Sequence, residues 1–192
     1  MGPKGGNQMN ILSSADLDWF QGEQFRHDAL AHADIASLPM RRQLVNFILH
    51  LSKYQGRLIK ALRSEDEESI QRLITDSFII LLATANALGK SPRIVGAGRP
   101  TSLSHLRTSE ALMFAYVEVV GEMSKACEAF DDNENYPSHS MLDTCLGTLL
   151  RIVIALANVS NVPLLESVPH RWSRVERRAL ANRKAAPIAD VA

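Results

Sequence analysis

Two glutamates four residues apart, Glu118 and Glu122, have the spacing in this chain that is most typical of metal chemistry. Residues at positions i and i+4 lie one turn apart on the same helix face, so the two carboxylates project together. Past an acidic loop, residues 143–150 (DTCLGTLL) place small residues where a second helix would cross the first. Carboxylates on facing helices form the frame of a site for a divalent metal ion or a nucleotide.

The elements that must position these residues are predicted to be helices. Apolar residues recur at three- and four-residue steps from Met40 to Arg63, which indicates an amphipathic helix. The same periodicity predicts a helix that starts within residues 64–68, continues to Leu88 and is capped by Gly89. Two further long helices are expected over about residues 109–130 and 138–159. We therefore predict an all-α fold with a four-helix core built from two hairpins.

The predicted hairpins, residues 40–89 and 108–162, resemble each other in sequence. The matching segments are residues 56–61 (GRLIKA) with 121–126 (GEMSKA), and residues 81–86 (LLATAN) with 153–158 (VIALAN). We interpret the match as an internal duplication, which predicts two helical hairpins packed as a pseudo-dimeric four-helix bundle.

The segments around the hairpins have a different composition. Residues 1–10 are Gly-rich and polar and are predicted to be a disordered leader. Residues 11–162 are assigned to the bundle, with a short helix after a cap at Ser13–Asp16. Residues 90–107 contain several Gly and Pro residues and are predicted to link the hairpins.

The last segment, residues 163–192, is predicted to be a basic helix and a loose tail outside the bundle. Pro163 and Pro169 are expected to break the chain, so the helix is placed from Trp172 to about Arg183.

A family resemblance appears in the two helices of the second hairpin. Residues 117–126 (VEVVGEMSKA) resemble the EEvGEl helix of the MazG-like all-α nucleoside triphosphate pyrophosphohydrolases. Residues 146–157 resemble the ELGDvLwyv helix of that family, as residues 75–89 do in the first hairpin. The resemblance implies that four carboxylates, two from each helix, hold magnesium ions, which bridge a triphosphate and activate water.

This chain departs from the family's acidic pattern. In the second half, Val119, Cys145 and Thr148 stand where acids are expected. In the first half, only one acid keeps its expected place. The positions that have lost their acids there are Ser52, Lys53, Arg57 and Leu73.

The acids that remain are Glu118, Glu122 and Asp76. If they converge, they form a reduced site for Mg²⁺; otherwise Lys53 and Arg57, one helical turn apart, are candidate partners that neutralise them without a metal. No catalytic residue is assigned, and whether the chain is an enzyme stays open.

Other chemistry-bearing residues fit plainer roles. His27 and His32 are five residues apart, which predicts different helix faces and ordinary surface or half-buried histidines. Cys127 and Cys145 have no partners at metal-ligand spacing and are predicted to be core thiols. Gly89-Lys90-Ser91 lacks the earlier glycine and the preceding strand of a P-loop.

Three arginines, Arg171, Arg174 and Arg178, share one face of the predicted terminal helix. They suit contact with the phosphates of a nucleic acid or with an acidic partner, or they form a solvated face that complements the helix C-terminus.

The totals narrow the function classes. Lys+Arg and Asp+Glu are both 21, so no net field attracts nucleic acid or a membrane surface, and nucleic acid is the less favoured partner. Two cysteines and no transmembrane or signal segment suggest a cytoplasmic location. Three hypotheses remain: a divergent magnesium-dependent, nucleotide-binding pyrophosphohydrolase, a non-catalytic protein-binding or regulatory module of the same fold, and a nucleic-acid-associated protein. Homo-oligomer formation is expected.

Overall fold

The computed structural model describes residues 12–92, 108–131 and 136–185. These residues contain no strand, so the predicted all-α class is confirmed. The predicted leader, residues 93–107 of the linker and residues 186–192 of the tail lie outside the described residues. The described helices are α1 (Ser14–Ala31), α2 (Ala33–Ala36), α3 (Met40–Arg63), α4 (Glu67–Ala87), α5 (Ser109–Asp131), α6 (Ser138–Val159) and α7 (Leu164–Ala185).

Four long helices, α3 to α6, form the centre of the molecule. α3 packs against α4 and α5, and α6 packs against α5 and α4, so each helix contacts its hairpin partner and its counterpart in the other hairpin. Their apolar faces meet in one core that includes fully buried Leu51, Phe78, Tyr116 and Leu149. This contact pattern is the one that a two-fold arrangement of hairpins produces, while the duplication itself stays a prediction.

The second helices of the two hairpins end in the same way. Gly89 follows α4 at φ +62°, and Asn161 follows α6 at φ +54°. Each begins a Schellman motif, in which two N–H groups past the helix bond to carbonyls of its last turn. Gly89 and Asn161 also correspond in the alignment of residues 81–86 with 153–158. The predicted glycine cap is confirmed.

Helix α1 starts at its predicted cap. The Ser13 side chain accepts a hydrogen bond from the Asp16 N–H, and the Asp16 carboxylate accepts one from the Ser13 N–H, which forms a capping box. The side chains that α1 buries are Phe20, Gln24 and His27. The buried face of α1 therefore contains two polar side chains, Gln24 and His27, beside the aromatic ring of Phe20.

Helix α7 corrects two expectations. It begins at Leu164 rather than Trp172, and Pro169 lies inside it. It packs against α1 and α4, with Leu164, Val168 and Trp172 buried in the core. Burial of this apolar stripe holds the helix together through the proline, so the C-terminal helix belongs to the core.

Helix α6 is the described helix whose length and composition would suit a membrane span, although no such helix was expected. Of its most apolar stretch, 56% is buried inside the bundle. A core helix of a bundle has the same properties, so the finding is weak support for a membrane location.

Candidate functional site

The central polar contact of the molecule joins Asp76 of α4 to Arg171 of α7. Arg171 Nε donates to Asp76 Oδ1 at 2.6 Å, and an Nη donates to Oδ2 at 3.0 Å. The Asp76 side chain is 8% exposed and that of Arg171 is 27% exposed. These hydrogen bonds raise the pKa of Arg171 above its usual value. Both carboxylate oxygens of Asp76 therefore bind the guanidinium in a two-pronged ion pair.

The predicted magnesium site is not assembled. Glu118 and Glu122 are exposed on α5, whereas Asp76 is buried on α4. Within the described part of the chain, no three His, Cys, Asp or Glu side chains are grouped so that they could hold a metal ion. Magnesium needs several oxygen ligands in near-octahedral geometry, so these three acids do not fit the ion.

Asp76 pairs with a cationic side chain, but its partner is Arg171 and not the expected Lys53 or Arg57. Lys53 and Arg57 are exposed on α3, and neither forms an ion pair with Asp76. Lys53 lies close enough for the charge of Asp76 to act on it, although burial and Arg57 together lower its pKa. Arg171 takes the position because α7 docks over α4 and carries its guanidinium to the buried carboxylate.

A groove with a volume of about 1140 Å³ opens beside this ion pair. We call it the polar groove. Its walls come from the end of α1, from α2, and from α3, α4 and α7. The polar side chains that line it are His27, His32, Asp34, Asn46, His50, Tyr54, Asp66, Glu68, Ser69, Arg72, Asp76, Arg171, Arg174, Arg178 and Asn182. Phe47, Ile79 and Ile80 add apolar surface.

The charges of the polar groove are mixed, but three cations are available in it. Of its four carboxylates, Asp76 is bound to Arg171, Asp66 caps α4 by accepting from the Ser69 N–H, and Asp34 and Glu68 also line the groove. Arg72, Arg174 and Arg178 are exposed and form no ion pair with any described residue. Two of the three arginines that the sequence grouped on one face of the terminal helix are thus free to bind an anion.

The α3 wall of the polar groove carries a histidine–tyrosine pair that was not predicted. His50 Nδ1 lies 3.3 Å from the Tyr54 hydroxyl, and Lys53 Nζ sits 4.9 Å from the centroid of the Tyr54 ring. Burial, helped by the charge of Asp76, raises the pKa of Tyr54 to about 12. Burial and the charge of Lys53 lower the pKa of His50. At neutral pH both side chains are therefore uncharged.

His27 and His32 also differ from expectation. His27 is 3% exposed, and its Nδ1 lies 2.9 Å from a carboxylate oxygen of Glu176 on α7. The His27 and His32 rings touch, with centroids 5.6 Å apart, because α1 ends at Ala31 and His32 sits in the bend before α2. Five-residue spacing separates side chains only while one helix continues.

A buried hydrogen bond fixes the docking of α7 on α1. Trp172 Nε1 donates to Gln24 Oε1 at 2.7 Å, and Gln24 Nε2 donates to Asp28 at 2.7 Å. A glutamine one helical turn after Phe20 was the available sequence signal, but its partner lies 148 residues away. No local pattern identifies such a partner.

The two cysteines are buried free thiols, as predicted. Burial raises the pKa of Cys145 to about 11, and the charge of Glu122 adds to the effect. Thiols with raised pKa values are poor nucleophiles and poor metal ligands at neutral pH. The position of Cys145, where the family resemblance places an acid, therefore contributes packing rather than ligand chemistry.

Comparison with known proteins gives no relative for this chain. No protein-family model, no curated protein and no solved structure matches the chain.

Proposed function

We propose that this chain is a MazG-like helical protein that binds a phosphate-bearing ligand, most specifically a nucleotide, without magnesium-dependent hydrolysis. The observation that carries the proposal is the ion pair of Asp76 with Arg171, in which both carboxylate oxygens are taken. A guanidinium occupies the place where the family resemblance puts a metal ion. Positive charge is thereby kept at the site while the coordination that activates water is lost.

The polar groove supports an anionic ligand. Guanidinium groups bind phosphate oxygens through paired hydrogen bonds, and Arg72, Arg174 and Arg178 have no ion-pair partner among the described residues. The volume of about 1140 Å³ is sufficient for a nucleotide, and the partly exposed Ile35 and Ile80 offer apolar contacts for a base or sugar.

The test is calorimetric titration with ribo- and deoxynucleoside triphosphates and with inorganic pyrophosphate, each with EDTA and with Mg²⁺. Pyrophosphate release is followed in parallel. We expect binding in EDTA, no strengthening by Mg²⁺ and no release of pyrophosphate. Arg174→Ala should weaken binding by about tenfold or more, the effect of one lost charged hydrogen bond.

Arg177→Ala is the matched control, because Arg177 lies on the same helix but does not line the polar groove. Its affinity should equal that of the unaltered chain. Magnesium-dependent hydrolysis that Glu122→Gln abolishes would show an active pyrophosphohydrolase instead. Failure of every phosphate compound to bind would overturn the proposed ligand.

The second candidate is a non-catalytic protein-interaction module of the same fold. Large apolar side chains protrude from the surface, among them Phe25 at 68%, Leu49 at 63% and Phe114 at 63% exposure. Exposed apolar surface of this kind marks interaction sites. We favour this candidate if neither nucleotides nor pyrophosphate bind in the calorimetric titrations.

A further inference from the structure

The outer face of α3 and α5 forms an apolar surface, which we call the α3–α5 face. Exposed side chains along it are Val45, Leu49, Ile59 and Phe114, each between 37% and 63% exposed. Within the described part of the chain, α1 and α7 pack against each other and against α4, so they cover the other side of the bundle.

The apolar and small residues of this face are spaced as in a helix–helix seam. On α3, Val45, Leu49, Ser52, Gly56 and Ile59 alternate in steps of four and three, the spacing of a coiled-coil interface. The corresponding stretch of α5, residues 114, 117, 121 and 124, repeats the spacing. All but Val117 of these positions are exposed.

Two glycines at corresponding positions interrupt the seam. Gly56 and Gly121 lie in the interiors of α3 and α5, and a Cβ added at either would meet open space. A glycine in a helix interior costs about 1 kcal/mol relative to alanine. Nothing within the described chain needs that space, whereas a helix approaching from outside would use it.

The charges of the face separate by helix. α3 carries six arginines and lysines and no carboxylate, while α5 carries five acidic residues and one lysine. At corresponding positions the sign is reversed, since Lys53, Arg57 and Arg63 match Glu118, Glu122 and Glu128, all exposed. The two helices that form the face thus carry opposite charge, α3 basic and α5 acidic.

We propose that the α3–α5 face binds a second copy of this chain in a two-fold dimer. Within one chain, α3 and α5 run antiparallel, since Arg41 near the start of α3 lies over the ring of Phe130 near the end of α5. A two-fold axis parallel to the helices then lays α3 of each copy antiparallel across α5 of the other. Basic helix meets acidic helix twice, and the glycines allow close approach.

The first experiment measures mass by sedimentation equilibrium over a wide concentration range, at low and at high salt. The unaltered chain should associate to dimers, and salt should weaken them. Gly56→Gln should remain folded, because its side chain has open space in the single chain, but it should shift the chain to monomer. Gly22→Gln is the control, since Gly22 also has open space but lies on α1.

Charge reversal tests the pairing of the helices. In the antiparallel arrangement, Arg42 and Lys60 of α3 lie near Glu128 and Glu110 of the second copy. Arg42→Glu with Lys60→Glu should weaken the dimer at least tenfold, and so should Glu110→Lys with Glu128→Lys. All four changes together should restore it. A chain that is monomeric at every concentration, or a dimer unaffected by Gly56→Gln, would overturn the proposal.

Discussion

Arg171 stabilises the bundle mainly by compensating the buried charge of Asp76. Arg171→Ala leaves that carboxylate with its partner removed at 8% exposure. We expect a loss of about 3 kcal/mol in the free energy of unfolding, the low end for a broken buried pair, because Arg171 itself is partly exposed. Urea denaturation followed by circular dichroism measures the loss.

Two further variants test whether the loss of stability in Arg171→Ala comes from the ion pair. Arg177→Ala on the same helix should change the free energy of unfolding by less than about 0.5 kcal/mol, as surface substitutions do. Asp76→Asn added to Arg171→Ala should recover part of the loss, since the amide carries no charge. Equal effects of Arg171→Ala and Arg177→Ala would contradict the role given to the ion pair.

His50 makes the stability depend on pH. Burial and the charges of Lys53 and His32 lower its pKa in the folded chain, and Asp76 only partly opposes them. The unfolded chain therefore binds a proton more readily, so stability is full above the ordinary histidine pKa of about 6.5 and falls as the pH drops below it.

The expected result is a melting temperature that falls between about pH 7 and pH 5, with a smaller fall in His50→Asn. His170→Asn is the matched control, because His170 is exposed on α7. The control should follow the unaltered chain. An identical pH dependence in His50→Asn would show that other groups are responsible.

The residues of the site were partly predictable. The alignment with the family motif singled out Asp76, and periodicity grouped Arg171, Arg174 and Arg178. The partnership of Asp76 with Arg171 was not predictable, because 95 residues separate them and pairing depends on how α7 crosses α4. Convergence of three acids was predicted from symmetry, but exposed Glu118 and Glu122 lie on the solvent side of α5.

At the scale of one helix, the effect of replacing a glycine depends on whether it ends a helix or lies inside one. Gly89 ends α4 at φ +62°, where a side chain is strained, so Gly89→Ala should destabilise by about 1 kcal/mol. Gly22 lies inside α1 with open space around it, so Gly22→Ala should stabilise by about 1 kcal/mol. Thermal unfolding of the two variants checks the opposite signs, and a stabilised Gly89→Ala would contradict the assigned cap.

Element boundaries followed the sequence where local chemistry set them. Periodicity placed α3 and α6 at the residues where they begin and end, and Ser13 marked the start of α1. α7 was missed in its first two turns because prolines were taken as breaks. Its buried stripe of Leu164, Val168 and Trp172 outweighs one missing N–H, and only tertiary packing supplies that burial.

For the whole molecule, the core needs α7. A chain ending at residue 162 lacks the buried side chains of α7 and leaves Asp76 unpaired. We expect it to lose cooperative unfolding and to bind ANS. A chain ending at residue 178 keeps all of these contacts and should stay within about 0.5 kcal/mol of the full chain. A cooperative transition in the shorter chain would show that four helices suffice.

The overall architecture was predictable to the level of its class. Helical periodicity and hairpin lengths predicted four long helices around one core; the described residues are all-α, but α1 and α7 also contribute buried side chains to the core. The attachment of α1 and α7 to the α4 side was not predictable, since polar groups such as Gln24 and His27 direct it through partners more than 140 residues away.

These long separations have a consequence for synthesis on the ribosome. Asp76 is buried in the folded protein, yet its partner Arg171 is translated 95 residues later. Trp172, the partner of Gln24, is translated 148 residues after it. Until α7 has left the exit tunnel, the nascent bundle keeps a charged and an amide group without their partners and an apolar face open to solvent. The buried polar contacts of this chain can therefore be completed only after α7 has been translated.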